Sequence, residues 1–135
     1  MKTLFVFLCV AILGAVAHHL PETEMRKLKE VHDSCQANPT THVDEKLLKK
    51  LKENVEDKKV GTHLLCMAVK VGLLTQDGDL IKNVIRDKIV IATHDLSKVD
   101  EVLKKCAVKR ETPEKTAVQM LVCFIDNGIH YHHDL

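Results

Sequence analysis

Apolar residues recur every three or four positions along most of the chain, and no stretch keeps the two-residue alternation of an amphipathic strand. In the first such segment, residues 21–36, Leu28, Val31 and Cys35 share one helical face. Pro21 suits the first turn of a helix, where its missing N–H costs nothing. The segment therefore predicts an amphipathic helix.

The same spacing predicts five further helices. They cover residues 44–51, residues 61–74, residues 80–91, a segment from Asp95 or Ser97 to Cys106, and a segment that opens at Thr112-Pro113 and ends at Gly128. Together the six segments predict an all-α domain.

Local signals set the expected boundaries of these helices. Gly72 suits the left-handed end of the third helix, Asp79 is a candidate N-cap of the fourth, and Thr112 followed by proline is typical of a helix start. The polar residues 54–59 predict a linker. The end of the fourth helix stays open, because residues 89–91 would also suit a strand.

Residues 1–17 have the pattern of a secretory signal peptide. Lys2 supplies the positive start, residues 4–13 form a short apolar run, and Ala15-Val16-Ala17 is a cleavage site of small residues. The run is too short to span a bilayer. We expect cleavage after Ala17, which leaves residues 18–135 as one secreted, extracellular domain.

Composition, charge and the absence of catalytic motifs argue against several classes of function. The chain has 20 basic and 19 acidic residues, and this balance argues against nucleic acid as a partner and against stable membrane association. Residues 46–52 form a basic amphipathic stretch that either touches an anionic membrane or is a solvated helix face. No zinc-protease, serine-hydrolase, phosphate-loop or dinucleotide motif is present, so we predict neither an enzyme nor a cofactor.

Removing the leader takes away Cys9 and leaves four of the five cysteines. Four cysteines allow three pairings, which the residues alone do not decide. No Cys-x-x-Cys pair of the kind found in zinc sites occurs. Because disulfides form in exported proteins, the sequence predicts two of them.

Residues 66–79, CMAVKVGLLTQDGD, resemble the third-cysteine segment of insect odorant-binding proteins of the pheromone-binding and general odorant-binding type. Members of that family are small, secreted and six-helical, and usually have six cysteines. In this chain, Thr62 and Glu114 occupy the positions of the second and fifth of those cysteines. The remaining spacings match the first, third, fourth and sixth cysteines, as in the four-cysteine, "minus-C" branch. The resemblance implies the pairs Cys35–Cys66 and Cys106–Cys123.

The resemblance also implies a carrier with an apolar cavity for small hydrophobic ligands, such as odorants, pheromones or fatty acids. In the family, helices 1, 4, 5 and 6 converge around the cavity. Carried onto this chain, the candidate wall residues are Met67, Val71, Val84, Ile85, Ile89, Val99, Leu103, Val118, Leu121, Phe124 and Ile125. Tyr131 is a candidate polar anchor if the tail folds over the cavity.

Other interpretations remain open at this stage. The aliphatic interior also fits a ligand-free secreted structural or interaction protein of the haemolymph or reproductive glands. The histidines around Tyr131 either form a surface metal contact or belong to a solvated tail. His63 and His94, expected near helix starts or loops, are candidates for acid-induced loosening of the pocket. A homodimer or an unknown receptor is possible.

Overall fold

The computed structural model describes residues 20–133, and over this range the chain folds into six α-helices. They are α1 (Glu22–Ala37), α2 (Glu45–Lys49), α3 (Lys58–Val71), α4 (Lys82–Ala92), α5 (Val99–Cys106) and α6 (Pro113–Asp126), with short 3-10 turns at Leu51–Glu53 and Leu96–Lys98. The predicted all-α class is confirmed. The predicted signal peptide lies outside the described residues.

Two helix boundaries follow the chemistry expected from the sequence, and the structure decides a third that the sequence left open. The Thr112 hydroxyl accepts a hydrogen bond from the Lys115 backbone N–H at 3.1 Å, with Pro113 in the first turn of α6. Gly72 ends α3 with a φ of 92°, a left-handed conformation that glycine adopts without strain. The strand alternative for residues 89–91 is wrong, because α4 continues through them to Ala92.

Two other boundaries differ from the sequence-based expectation. Asp79 does not cap α4, which begins at Lys82; its backbone pairs with Thr75 in a turn, and its carboxylate contacts Lys109. The predicted linker at residues 54–59 is shorter than expected. Its last part belongs to α3, whose N-cap Asp57 accepts hydrogen bonds from two backbone N–H groups.

Two disulfides tie the helices together with the pairing that the resemblance implies. Cys35–Cys66 joins α1 to α3, and Cys106–Cys123 joins the end of α5 to α6. Closing loops of 31 and 17 residues stabilises a fold by about 3–4 kcal/mol each on a chain-entropy estimate.

Helix α3 packs against both α1 and α6, while α5 packs against α4 and α6. Helix α3 approaches α6 closely at Gly61, where a Cβ atom would lie 2.9 Å from Glu114 Cβ. The two corresponding positions for the missing third disulfide, Thr62 and Glu114, lie in this region. Close packing therefore holds α3 against α6 at the place where the resemblance implies a third disulfide in six-cysteine members of the family.

Residues 129–133, here called the C-terminal tail, fold back onto the helices after Gly128, which has a φ of 76°. Ile129 and Tyr131 are buried, at 2% and 4% exposure. The tail is therefore part of the packed structure and not a solvated extension. Within the part of the chain that the structure describes, no helix is long and apolar enough to cross a membrane.

Candidate functional site

A cavity of about 530 Å³ lies between α1, α3, α6, the C-terminal tail and the segment of residues 48–53. This volume is in the range of small-molecule binding sites. Its apolar lining consists of Leu28, Leu48, Leu51, Leu64, Met67, Ala68, Val71, Leu73, Ala117, Met120, Leu121, Phe124, Ile125 and Tyr131. Because the walls are almost entirely aliphatic, they suit an apolar molecule that is held by burial of its surface rather than by ring stacking.

Six of the twelve predicted ligand-binding residues, five wall residues and the anchor Tyr131, meet at this cavity. Those that line it are Met67, Val71, Leu121, Phe124, Ile125 and Tyr131. They come from α3, α6 and the tail, so the structure brings these parts of the predicted site together.

The other six predicted residues do not line this cavity. Ile85, Ile89, Val99 and Val118 are buried in the core, and Val84 and Leu103 pack against it from half-buried positions. Most of them belong to α4 and α5, which pack against each other and contribute no lining residue. Any role of these six in ligand binding stays a prediction.

The 48–53 segment is a wall that the expected site did not include. Leu48 and Leu51 point into the fold, at 6% and 8% exposure, and they close one side of the cavity. Their spacing within the predicted second helix was the available signal. It indicated an inward face, but not that this face meets the cavity.

Charged groups are concentrated where the same segment reaches the rim, and His132 and His133 of the tail add polar groups to the lining. Lys49, Lys50, Lys52 and Glu53 belong to the lining, and Lys52 pairs with the exposed carboxylate of Asp126 on α6. The rim of the cavity is therefore charged, whereas its walls are apolar.

The tail is held by a hydrogen bond and an ion pair that share one carboxylate. Tyr131 donates its hydroxyl hydrogen to Glu24 Oε2 at 2.9 Å, and Lys88 Nζ lies 2.6 Å from Glu24 Oε1. Burial alone would raise the pKa of Glu24, but the hydrogen bonds from Lys88 and Tyr131 outweigh it and leave this pKa lowered. Burial and the neighbouring carboxylate raise the pKa of Tyr131. This network joins α1, α4 and the tail beside the cavity.

A second polar network runs from the buried His63 to the exposed side chain of Glu45. His63 Nδ1 lies 3.0 Å from the Thr41 carbonyl oxygen, His63 Nε2 lies 3.2 Å from His32 Nδ1, and His32 Nε2 lies 2.6 Å from Glu45 Oε1. The carbonyl requires a proton on His63 Nδ1, so a neutral His63 accepts from His32 through Nε2. The Glu45 carboxylate accepts a hydrogen bond from His32 Nε2, so the network connects the buried His63 to a carboxylate of α2.

Burial lowers the pKa of His63 to about 4. His63 lies inside α3 and is fully buried; the expectation that it sits near a helix start is wrong, because α3 begins at Lys58. His133 of the tail stacks on His32 with ring centroids 4.1 Å apart, and burial lowers its pKa as well. Among the described residues, no group of three His, Cys, Asp or Glu side chains is arranged to hold a metal ion.

Comparison with known proteins identifies related sequences. The PBP/GOBP family matches residues 17–127, a span that contains all four cysteines of the fold. The chain is similar to the B2 protein of Tenebrio molitor, with 23% identity over 92% of this chain and 97% of the relative. It is also similar to the B1 protein of the same organism, with 22% identity over 92% of this chain and 95% of the relative. No solved structure matches significantly.

Proposed function

We propose, from the premise that this chain belongs to the PBP/GOBP family, that it is a secreted carrier of small hydrophobic molecules in extracellular fluid. The observation that carries the proposal is the aliphatic cavity of about 530 Å³. The family is one of binding proteins and not of enzymes. On this proposal the protein performs no chemistry; it encloses an apolar solute and removes the solute's surface from water.

The energy available to such a carrier follows from the walls. A ligand with about ten buried methylene groups gains roughly 8 kcal/mol at about 0.8 kcal/mol each. Lost freedom of the ligand offsets part of this gain. Affinities around micromolar, which correspond to about −8 kcal/mol, are the expected result.

Secretion is part of the same proposal. Residues 1–17 are its signal peptide and residues 18–135 its mature domain. The two disulfides support this placement, because disulfides persist in oxidising compartments and are rare in reducing ones. Mass spectrometry of protein secreted from insect cells tests it, and a mature chain that does not begin at His18 contradicts the proposed cleavage.

The carrier proposal is tested with a tryptophan placed inside the cavity. The natural chain has no tryptophan. Met67 lines the cavity, whereas Lys70 is exposed on the same helix, so Met67→Trp and Lys70→Trp form a matched pair. The neutral fluorophore N-phenyl-1-naphthylamine should bind the wild type with micromolar affinity and be displaced by dodecanol.

The indole in Met67→Trp fills part of the cavity, so we expect weaker probe binding and an emission change when dodecanol is added. Lys70→Trp should bind like the wild type without an emission change. If the folded wild type does not bind the probe, the carrier proposal fails, and the ligand-free structural or interaction protein takes its place. If both variants respond alike, the ligand binds somewhere other than this cavity.

A further inference from the structure

The Lys and Glu side chains that line the cavity lie on one segment of the chain, while His132 and His133 of the tail also line it. The Lys and Glu side chains of the lining all come from residues 49–53: three are lysines and one, Glu53, is acidic. They lie there because Leu48 and Leu51 turn inward to form the wall, which places the neighbouring lysines at the border between wall and solvent. A long side chain at such a border keeps its ammonium group in water while its stem covers apolar surface.

Two of these lysines have no acidic partner. Lys52 is paired with Asp126, but among residues 20–133 neither Lys49 nor Lys50 forms an ion pair. Glu53 offsets one of the two charges, and the rim keeps a net positive charge. An apolar chain inside the cavity would therefore have its polar end beside two unpaired cations.

We infer that the cavity selects long-chain carboxylates over neutral or cationic molecules with the same chain, with the carboxylate held at the rim by Lys49 and Lys50. This inference rests on the proposed carrier function and names the ligand class of that site. The acyl chain lies against the walls of α3 and α6. The carboxylate stays at the rim, where it keeps part of its hydration and avoids the cost of burying a charge.

The expected selectivity is modest because the lysines are exposed. Ion pairs in such positions contribute only about 0.2–1 kcal/mol each. Two of them, partly offset by Glu53, predict that laurate binds roughly threefold to tenfold more tightly than dodecanol. Dodecylamine, which has the same chain with a positive end, should bind most weakly of the three. Salt should reduce these differences, since it screens exposed charges.

The test measures displacement of N-phenyl-1-naphthylamine by laurate, dodecanol and dodecylamine at neutral pH, below the concentrations at which they form micelles. The quantity compared is the ratio of the laurate affinity to the dodecanol affinity. It is measured for the wild type, for the double variant Lys49→Gln/Lys50→Gln, and for Lys46→Gln. Lys46 is exposed on α2 and does not line the cavity, so it controls for the general charge of this surface.

We expect a ratio of about three to ten for the wild type and for Lys46→Gln, and a ratio near one for the double variant. A ratio near one in the wild type overturns the inference, and the carrier function stands as long as dodecanol displaces the probe. A ratio that persists in the double variant overturns the assignment to Lys49 and Lys50. If none of the three compounds displaces the probe, the proposed function fails and the inference fails with it.

Discussion

Acid should destabilise this fold mainly through His63, whose imidazole is fully buried in α3. In the native state its Nδ1 donates to the Thr41 carbonyl oxygen and its Nε2 accepts from His32. A second proton would remove that acceptor and place a positive charge in the buried interior beside His32. Burial is the larger cause, and it lowers the pKa of His63 from 6.5 to about 4.

The size of the effect follows from proton linkage. The unfolded chain protonates His63 near pH 6.5, whereas the native chain does so only near pH 4. The free energy of unfolding is therefore highest above pH 6.5 and falls by about 1.4 kcal/mol per pH unit as the pH drops through this window. The full loss is about 3 kcal/mol, a large share of the stability of a small domain.

Other groups contribute with the same sign but can be separated, among them Glu24, whose pKa is also lowered and whose contribution is lost only below pH 4.5. Burial lowers the pKa of His133, so its contribution is also lost as the pH falls below 6.5. The hydrogen bond from His32 lowers the pKa of Glu45 below 4.5. The stability that comes from Glu45 is present above pH 4.5 and is lost only as the pH falls below it. Between pH 6.5 and pH 4.5 the histidines dominate.

The measurement is urea unfolding followed by circular dichroism at several pH values in this window, with both disulfides intact. His63→Gln keeps a donor and an acceptor at this position but does not titrate, so its stability should depend much less on pH than that of the wild type. His130→Gln removes an exposed histidine and should keep the wild-type slope. If the wild type shows no slope, or if His63→Gln keeps it, the reasoning is refuted.

Two further predictions concern packing and the tail. Gly61→Ala should cost about 1–3 kcal/mol in urea unfolding, because its Cβ would lie 2.9 Å from Glu114 Cβ and overpacking outweighs the roughly 1 kcal/mol gained in helix propensity. Thr62→Ala, the control on the next residue, should be nearly neutral, and equal stabilities of the two variants would contradict the close approach. Tyr131→Phe removes one hydrogen bond to the partly buried Glu24 carboxylate and should cost about 2 kcal/mol. Amide exchange in residues 129–133 should become faster, and unchanged exchange would show that this bond does not hold the tail.

Local chemistry made several helix boundaries predictable. Thr112 and Pro113 start α6 as their residue types indicate, since a capping hydroxyl and a fixed φ act within a few residues. Asp79 has the same capping ability, but it interacts instead with Thr75 and with Lys109, which is 30 residues away. A capping residue in the sequence therefore predicts a helix start only where its side chain does not bind another partner in the fold.

The position of the cavity could not be predicted from the sequence either. A helical period indicates that Met67 on α3 and Ile85 on α4 face inward, because both lie on apolar stripes. Only the packing of the helices decides that Met67 meets an open volume while Ile85 meets other side chains. The apolar stripe of a helix predicts which residues are buried. It does not predict whether they face an open cavity or other side chains.

The sequence by itself determined that the described chain is helical and aliphatic inside, because period and composition act over short distances. It also supplied four cysteines at spacings whose resemblance to a known family implied their pairing. The tertiary structure alone decided that Tyr131 meets Glu24, from which it is separated by 107 positions, and that Lys88 joins them. The physical reason is that a helix fixes neighbours three or four residues apart, whereas contacts between helices depend on how every apolar face packs at once.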